Sequence, residues 1–169
     1  GKLVNRLLRG EERAAAAEEA KRLQPICITE ETAREVQNIV HGVFSPLEGF
    51  MTKRDYLSVL SEGRLINDLP WTIPIVLDVS PDDRVGEEQD VALIYGGKPI
   101  AIMHVEEIYE NDREEFARKV FGTTDLGHPG VAKVYGMREL LAGGKIDLIQ
   151  EADMPFSRYY LKPVETRIL

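Results

Sequence analysis

Gly96-Gly97 stands between two apolar runs, residues 91–95 and 98–105. A two-residue turn with positive φ at both positions matches the twist of antiparallel strands, and glycine reaches it without steric cost. The pair predicts a β-hairpin, so the chain cannot be an all-helical bundle. Its other segments do not alternate as regular strand–helix units either, which excludes a doubly wound parallel sheet. What remains is α+β, with helices first and then antiparallel strands with helices interspersed.

Residues 11–23 lack glycine and proline and contain Ala14 to Ala17 in a row. They predict a helix, braced by Glu18 and Arg22 and stopped by Pro25. Ile26-Cys27-Ile28 reads as a short strand. Thr29 caps a second helix with Glu30 and Glu31 in its first turn, Ala33, Val36 and Val40 inward, and Gly42 just past its end. Thr52 and Asp55 approximate a capping box for a third helix, with Tyr56, Leu57 and Leu60 apolar and Gly63 closing it. Ile73, Ile75, Leu77 and Val79 alternate as a half-buried strand, Pro74 marking an edge or bulge. Asn111 or Asp112 starts a fourth helix, with Phe116, Ala117, Val120 and Phe121 on one face and Gly122 at its end. Pairs Glu114–Arg118 and Glu115–Lys119 line its solvent side. Residues 145–149 alternate as a last strand, and Gly143-Gly144 before it reads as a turn.

With 169 residues the chain is one domain, residues 1–169, with residues 1–24 forming an N-terminal arm and helix packed on it. The net charge of −8 weighs against nucleic acid as a partner, because phosphate affinity rests on Lys and Arg. One cysteine, Cys27, allows no internal disulfide, and no run is apolar enough for a membrane helix. The chain therefore reads as soluble and cytoplasmic, with no membrane partner. Gly1 in place of methionine, and an end on the bare Arg167-Ile168-Leu169, read as the ends of a cut piece.

The search for chemistry is brief. His41, His104 and His128 have no metal-type spacing, and Cys27 reads as a small buried residue. His104 reads as a strand residue rather than a base. The glycines of Gly96-Gly97-Lys98 and Gly143-Gly144-Lys145 suit turns and not a phosphate loop. Glu106, Glu107, Glu110, Asp112, Glu114 and Glu115 form a solvated strand-to-helix junction in preference to a cation site, and Asp82-Asp83 after Pro81 is a turn. Tyr159-Tyr160 beside Arg158 and Lys162 reads as core or interface packing in preference to a base-stacking platform. No catalytic, substrate-binding or metal residue is assigned.

One octapeptide is more specific: Phe44-Ser45-Pro46-Leu47-Glu48-Gly49-Phe50-Met51. Gly1-Lys2-Leu3-Val4-Asn5-Arg6-Leu7 precedes it, and Asp125-Leu126-Gly127-His128-Pro129-Gly130-Val131 follows later. In this order, and over essentially the whole length, the chain resembles the N-terminal domain of ATP sulfurylase (sulfate adenylyltransferase). The resemblance implies a PUA-like fold, a mixed, mainly antiparallel β pseudo-barrel with peripheral helices. It also implies a parent nucleotidyltransferase of sulfur metabolism that makes adenosine 5′-phosphosulfate and pyrophosphate from Mg-ATP and sulfate.

The family's catalytic Q-x-R-N and H-x-x-H segments do not occur here, so no catalytic residue carries over. The expected role is a non-catalytic supporting domain, inactive alone, that binds no cofactor itself. Its partner is the downstream catalytic domain, within a homo-oligomer. A stand-alone PUA-like interaction or RNA-binding module is the alternative. Residues 44–51 admit two readings. Phe44, Leu47, Phe50 and Met51 fill this domain's core around a turn set by Pro46 and Gly49, or they dock on the catalytic domain with Glu48 paired there.

Overall fold

The computed structural model describes residues 3–155 and 160–168. Six helices and six strands make up these residues, in a mixed α+β arrangement. The expected hairpin is its spine. Strand β4 (Gln89–Tyr95) pairs antiparallel with the long β5 (Lys98–Glu110), and Gly96 and Gly97 turn between them with φ of 57° and 75°. β5 pairs antiparallel in turn with β6 (Leu140–Leu148). β1 (Gln24–Cys27) adds to the far side of β4 in parallel, which the expectation of antiparallel strands did not include.

The other edge of β6 is covered piecewise. β3 (Leu77–Val79) pairs with Leu140–Ala142 and β2 (Gly49–Phe50) with Gly144–Lys145, and Leu148 exchanges backbone hydrogen bonds with Arg6 and Leu8. Three segments distant in sequence thus close one exposed edge, which would otherwise offer free N–H and C=O groups to another chain. Among the described residues no ladder joins β1 to β2, so the sheet stays open.

One face of the sheet carries the main core. Val91, Leu93, Met103, Val105, Leu141 and Ile146 meet Val36, Ile39 and Val40 of α2 (Glu30–Val40), Tyr56 and Val59 of α3 (Lys53–Glu62) and Phe116 of α4 (Arg113–Phe121). The opposite face is smaller. There α1 (Gly10–Ala20) lays Ala16 and Ala20 on Ala92, Ile102 and Ile149. Alanine side chains permit that close approach, so a helix with almost no amphipathic contrast still finds a seat.

Several local expectations need correction. The first helix ends at Ala20, and Glu18 pairs with Lys21 rather than Arg22, which has left the helix. Cys27 is exposed, because β1 alternates and only Ile26 points into the core. Thr52 makes no side-chain cap; the Asp55 carboxylate instead accepts the Ile66 N–H at 3.0 Å, and Glu107 accepts that of Lys53. On α3 it is Val59, not Leu57, that joins Tyr56 and Leu60 inside. The strand expected from Ile73 is regular only at Leu77–Val79, since Pro74 cannot donate to a ladder, and Ile73 is 53% exposed.

Gly143-Gly144 is not a turn but the middle of β6, opposite a bulge in β5 between Val105 and Glu107. A Cβ on Gly144 would lie 2.0 Å from the His104 carbonyl, and one on Gly49 would lie 1.8 Å from that of Gly144. These glycines serve close backbone approach, a use that local sequence does not distinguish from a turn.

Candidate functional site

Residues 44–51 follow α2 and are fixed from inside. The Ser45–Pro46 peptide is cis. Ser45 Oγ donates to the Gly42 carbonyl at 2.7 Å and accepts the Val4 N–H at 3.0 Å, tying the loop to the N-terminal arm. The Glu48 carbonyl accepts the Ile146 N–H at 3.0 Å, and the Met51 carbonyl accepts the Tyr109 hydroxyl at 2.7 Å. Leu47, Phe50 and Met51 are buried at 8%, 2% and 1% exposure, and Phe44 packs edge-on against Trp71. The Glu48 carboxylate lies 3.1 Å from Lys145 and 3.7 Å from Arg6. Of the two readings of this motif, the structure supports the core-filling one. Its apolar side chains are already spent within the domain, and Glu48 has internal partners.

From Glu48 a polar network crosses the sheet face beside α1. Arg6 donates through Nε to the Ile146 carbonyl at 2.7 Å and reaches Asp147 at 3.0 Å. Asp147 lies 2.9 Å from His104 Nε2, and Asp90 lies 2.7 Å from His104 Nδ1. A carboxylate on each ring nitrogen suits the imidazolium, which donates from both. Burial works against that charge, but the hydrogen bonds to Asp147 and Asp90 and their negative charges outweigh it and raise the His104 pKa. Sequence reasoning missed the network. The signal lay in register, since Asp90 and His104 face each other across β4 and β5.

The other end of α2 is open. A cleft of about 330 Å³ lies among α2, residues 73–76 and α5 (Pro129–Tyr135), with Phe116 and Phe121 on its wall. Glu35 lines it and makes no hydrogen bond or ion pair among the described residues. Burial pushes its pKa up to about 7; Lys133 opposes the rise, while the charges of Glu31 and Asp78 add to it. Lys133 itself sits 2.6 Å from Glu31, and Asp78 accepts the Arg138 N–H at 2.9 Å. Ile73, more than half exposed, forms part of the rim.

A smaller groove of about 200 Å³ lies beside His41, Glu151 and residues 160–163. His41 Nε2 is 3.2 Å from Glu151, at an angle that makes no hydrogen bond. Burial, then the charge of Lys162, lowers the His41 pKa against the opposing pull of Glu151.

The other residues singled out in the sequence have local duties. His128 Nδ1 accepts the Gly130 N–H at 3.2 Å at the start of α5, and its ring lies 5.0 Å from that of Phe121. Asp112, rather than Asn111, caps α4 through the Glu115 N–H at 2.9 Å. Asp83 completes a capping box with Ser80 in a 3-10 turn and lies 2.8 Å from Arg138. Within the acidic junction, Glu107 accepts the Lys53 N–H and Glu114 pairs with Arg118. Among the described residues no three His, Cys, Asp or Glu side chains are grouped to hold a metal ion. Tyr160 is exposed, while Arg158 and Tyr159 lie outside the described residues. No helix among the described residues is long and apolar enough to cross a membrane.

Comparison with known proteins agrees with this architecture. The family model of the PUA-like domain matches residues 1–151. Sulfate adenylyltransferases are similar over the whole chain. The one from Hyperthermus butylicus is 58% identical, and those from Ignicoccus hospitalis and Thermococcus onnurineus are each 50% identical. The chain spans 44–45% of the length of these relatives. Among solved structures, the hexameric APS kinase from Thiobacillus denitrificans superimposes with a TM-score of 0.75 at 23% identity, over 99% of this chain and 30% of that one. That likeness is one of fold. An open sheet whose edge is sealed by the 44–51 loop and the N-terminal arm, matched from residue 1 to residue 151, puts the chain in the PUA-like domain family, in the form shared with sulfate adenylyltransferases.

Proposed function

We propose that this chain is a supporting, non-catalytic domain of a sulfate adenylyltransferase, the nucleotidyltransferase that joins sulfate to the α-phosphate of ATP and releases pyrophosphate. The observation that carries the proposal is a pairing of coverage and length. Two relatives bearing that name are 58% and 50% identical across all of this chain, yet it spans less than half of each.

The charge arrangement supports a role without chemistry. Transfer to a phosphorus centre needs cations free to meet developing negative charge. The cations that line the two described clefts are each paired with a carboxylate: Lys133 with Glu31, Arg34 with Glu30 and Lys162 with Glu151. Mg-ATP is handled by the remainder of the parent enzyme, against which this domain packs in a cytoplasmic homo-oligomer.

The test is sulfate-dependent pyrophosphate release from ATP and Mg²⁺, measured on the 169-residue chain and on a protein of the relatives' full length. Release by the long protein alone fits the proposal. Turnover by the short chain contradicts it.

A further inference from the structure

Exposed hydrophobic side chains are ordinary one at a time; their gathering in one place is what marks a contact. Among the described residues ten large hydrophobics are exposed. Four of them, Tyr160, Leu161, Val164 and Ile168, fall within residues 160–168, at 59%, 63%, 54% and 82% exposure. A fifth, Val43, lines the groove at the end of α2 together with Tyr160 and Leu161, so the patch continues onto the body of the domain. Most of the others, from Leu57 to Ile73, belong to a stretch that also buries Tyr56, Leu60 and Leu65 in the core. Residues 160–168 bury nothing in exchange.

The segment is nonetheless shaped and held. Pro163 opens the short helix α6 (Pro163–Thr166), and the Lys162 N–H donates to the Glu165 carboxylate at 2.7 Å. The Lys162 ammonium pairs with Glu151, which also faces His41. Polar groups thus fix the segment to the domain, while its apolar side chains find no cover there. A four-residue helix has no stability of its own and draws it from packing. The packing surface has to come from outside the described residues.

More than half the length of the sulfate adenylyltransferase relatives lies outside the part that this chain matches. We infer that residues 160–168, with Val43, form the seat on which that remaining part of the parent polypeptide packs, its own apolar side chains covering Leu161, Val164 and Ile168. The inference rests on the supporting-domain reading and adds the place of the contact. That place is not the loop at residues 44–51, whose apolar side chains are already covered, but the segment whose side chains are not.

Hydroxyl-radical footprinting of a protein of the relatives' full length and of the 169-residue chain tests this. Oxidation of Leu161, Val164 and Ile168 is expected to be about fivefold or more slower in the long protein, because a packed contact excludes solvent as an interior does. Leu161→Asp with Val164→Asp is expected to leave the unfolding midpoint of the short chain unchanged and, in the long protein, to return Ile168 oxidation to the short-chain rate. Equal oxidation in both proteins overturns the inference. So does protection that grows with the concentration of the short chain, which would make a second copy the occupant, or protection that survives both aspartates. Sulfate-dependent pyrophosphate release by the same long protein keeps the two readings apart. Turnover with an unprotected segment overturns this inference alone, whereas protection without turnover supports the contact and counts against the supporting-domain reading.

Discussion

The two ends of helix α2 treat their polar groups in opposite ways. Beyond its C-terminal end, the 44–51 loop spends nearly every group inside the domain: Ser45 on Gly42 and Val4, the Glu48 backbone on β6, the Glu48 side chain on Lys145 and Arg6. Beside its N-terminal half, Glu35 faces a cleft with no partner among the described residues. The most distinctive segment of the sequence is therefore a structural seal, and the open cleft lies where the sequence is unremarkable. A distinctive motif can mark a demanding fold as readily as a working site.

The largest effect expected from breaking this contrast is at the seal. Gly49→Ala would drive a Cβ to 1.8 Å from a backbone oxygen that cannot swing aside. The expected loss is above ~4 kcal/mol in urea unfolding, the range reserved for backbone strain and severe overpacking. Phe50→Ala, which empties a side chain that is 2% exposed, is expected to cost about 3–5 kcal/mol. Ile73→Ala on the cleft rim is expected to change stability by no more than ~0.5 kcal/mol, as exposed positions do. Equal losses at Phe50 and Ile73 would erase the distinction.

Next comes Glu35→Gln. The folded pKa of about 7 lies above the ordinary glutamate value of 4.5, so the native state holds a proton that the unfolded chain releases. Stability conferred by that proton is complete below pH 4.5 and is lost as pH rises toward 7. The glutamine variant is expected to match the parent in acid and to exceed it above pH 7 by on the order of 3 kcal/mol, at about 1.36 kcal/mol per pKa unit. Thermal unfolding at pH 4 and pH 8 gives the comparison.

A smaller pH effect is expected at His104, which is partly exposed. Its raised pKa makes the opposite charge state the favoured one: the stability it adds is full below about pH 6.5, the ordinary histidine value, and fades as pH climbs through the raised folded value. His104→Gln is expected to flatten that decline, read from unfolding midpoints across neutral pH.

The sequence revealed those parts of the fold that rest on local rules. Gly96-Gly97 specified its hairpin, Thr29 its cap, the Asn111-Asp112 pair the start of α4, and Gly42, Gly63 and Gly122 their helix ends, because each is decided by its own φ or by a hydrogen bond within four residues. Gly143-Gly144 misled for the same reason: glycine serves a turn and a tight strand crossing alike, and only the partner backbone separates them. Neither the parallel pairing of β1 nor the piecewise edge of β6 leaves a local trace. The cleft is less legible still. Glu35 reads as an ordinary helical glutamate until α5 and residues 73–76 close around it, and Asp90, His104 and Asp147 become neighbours only through strand register.

The most direct test of the contrast between the two ends of α2 is the ionisation of Glu35 in the free chain, followed by carboxyl ¹³C shifts from pH 3 to pH 9. The account predicts a midpoint near 7, moved there by burial without a partner. A midpoint in the ordinary glutamate range, about 4.3, would mean that Glu35 is either well solvated or already paired, and that the cleft is as self-contained as the loop.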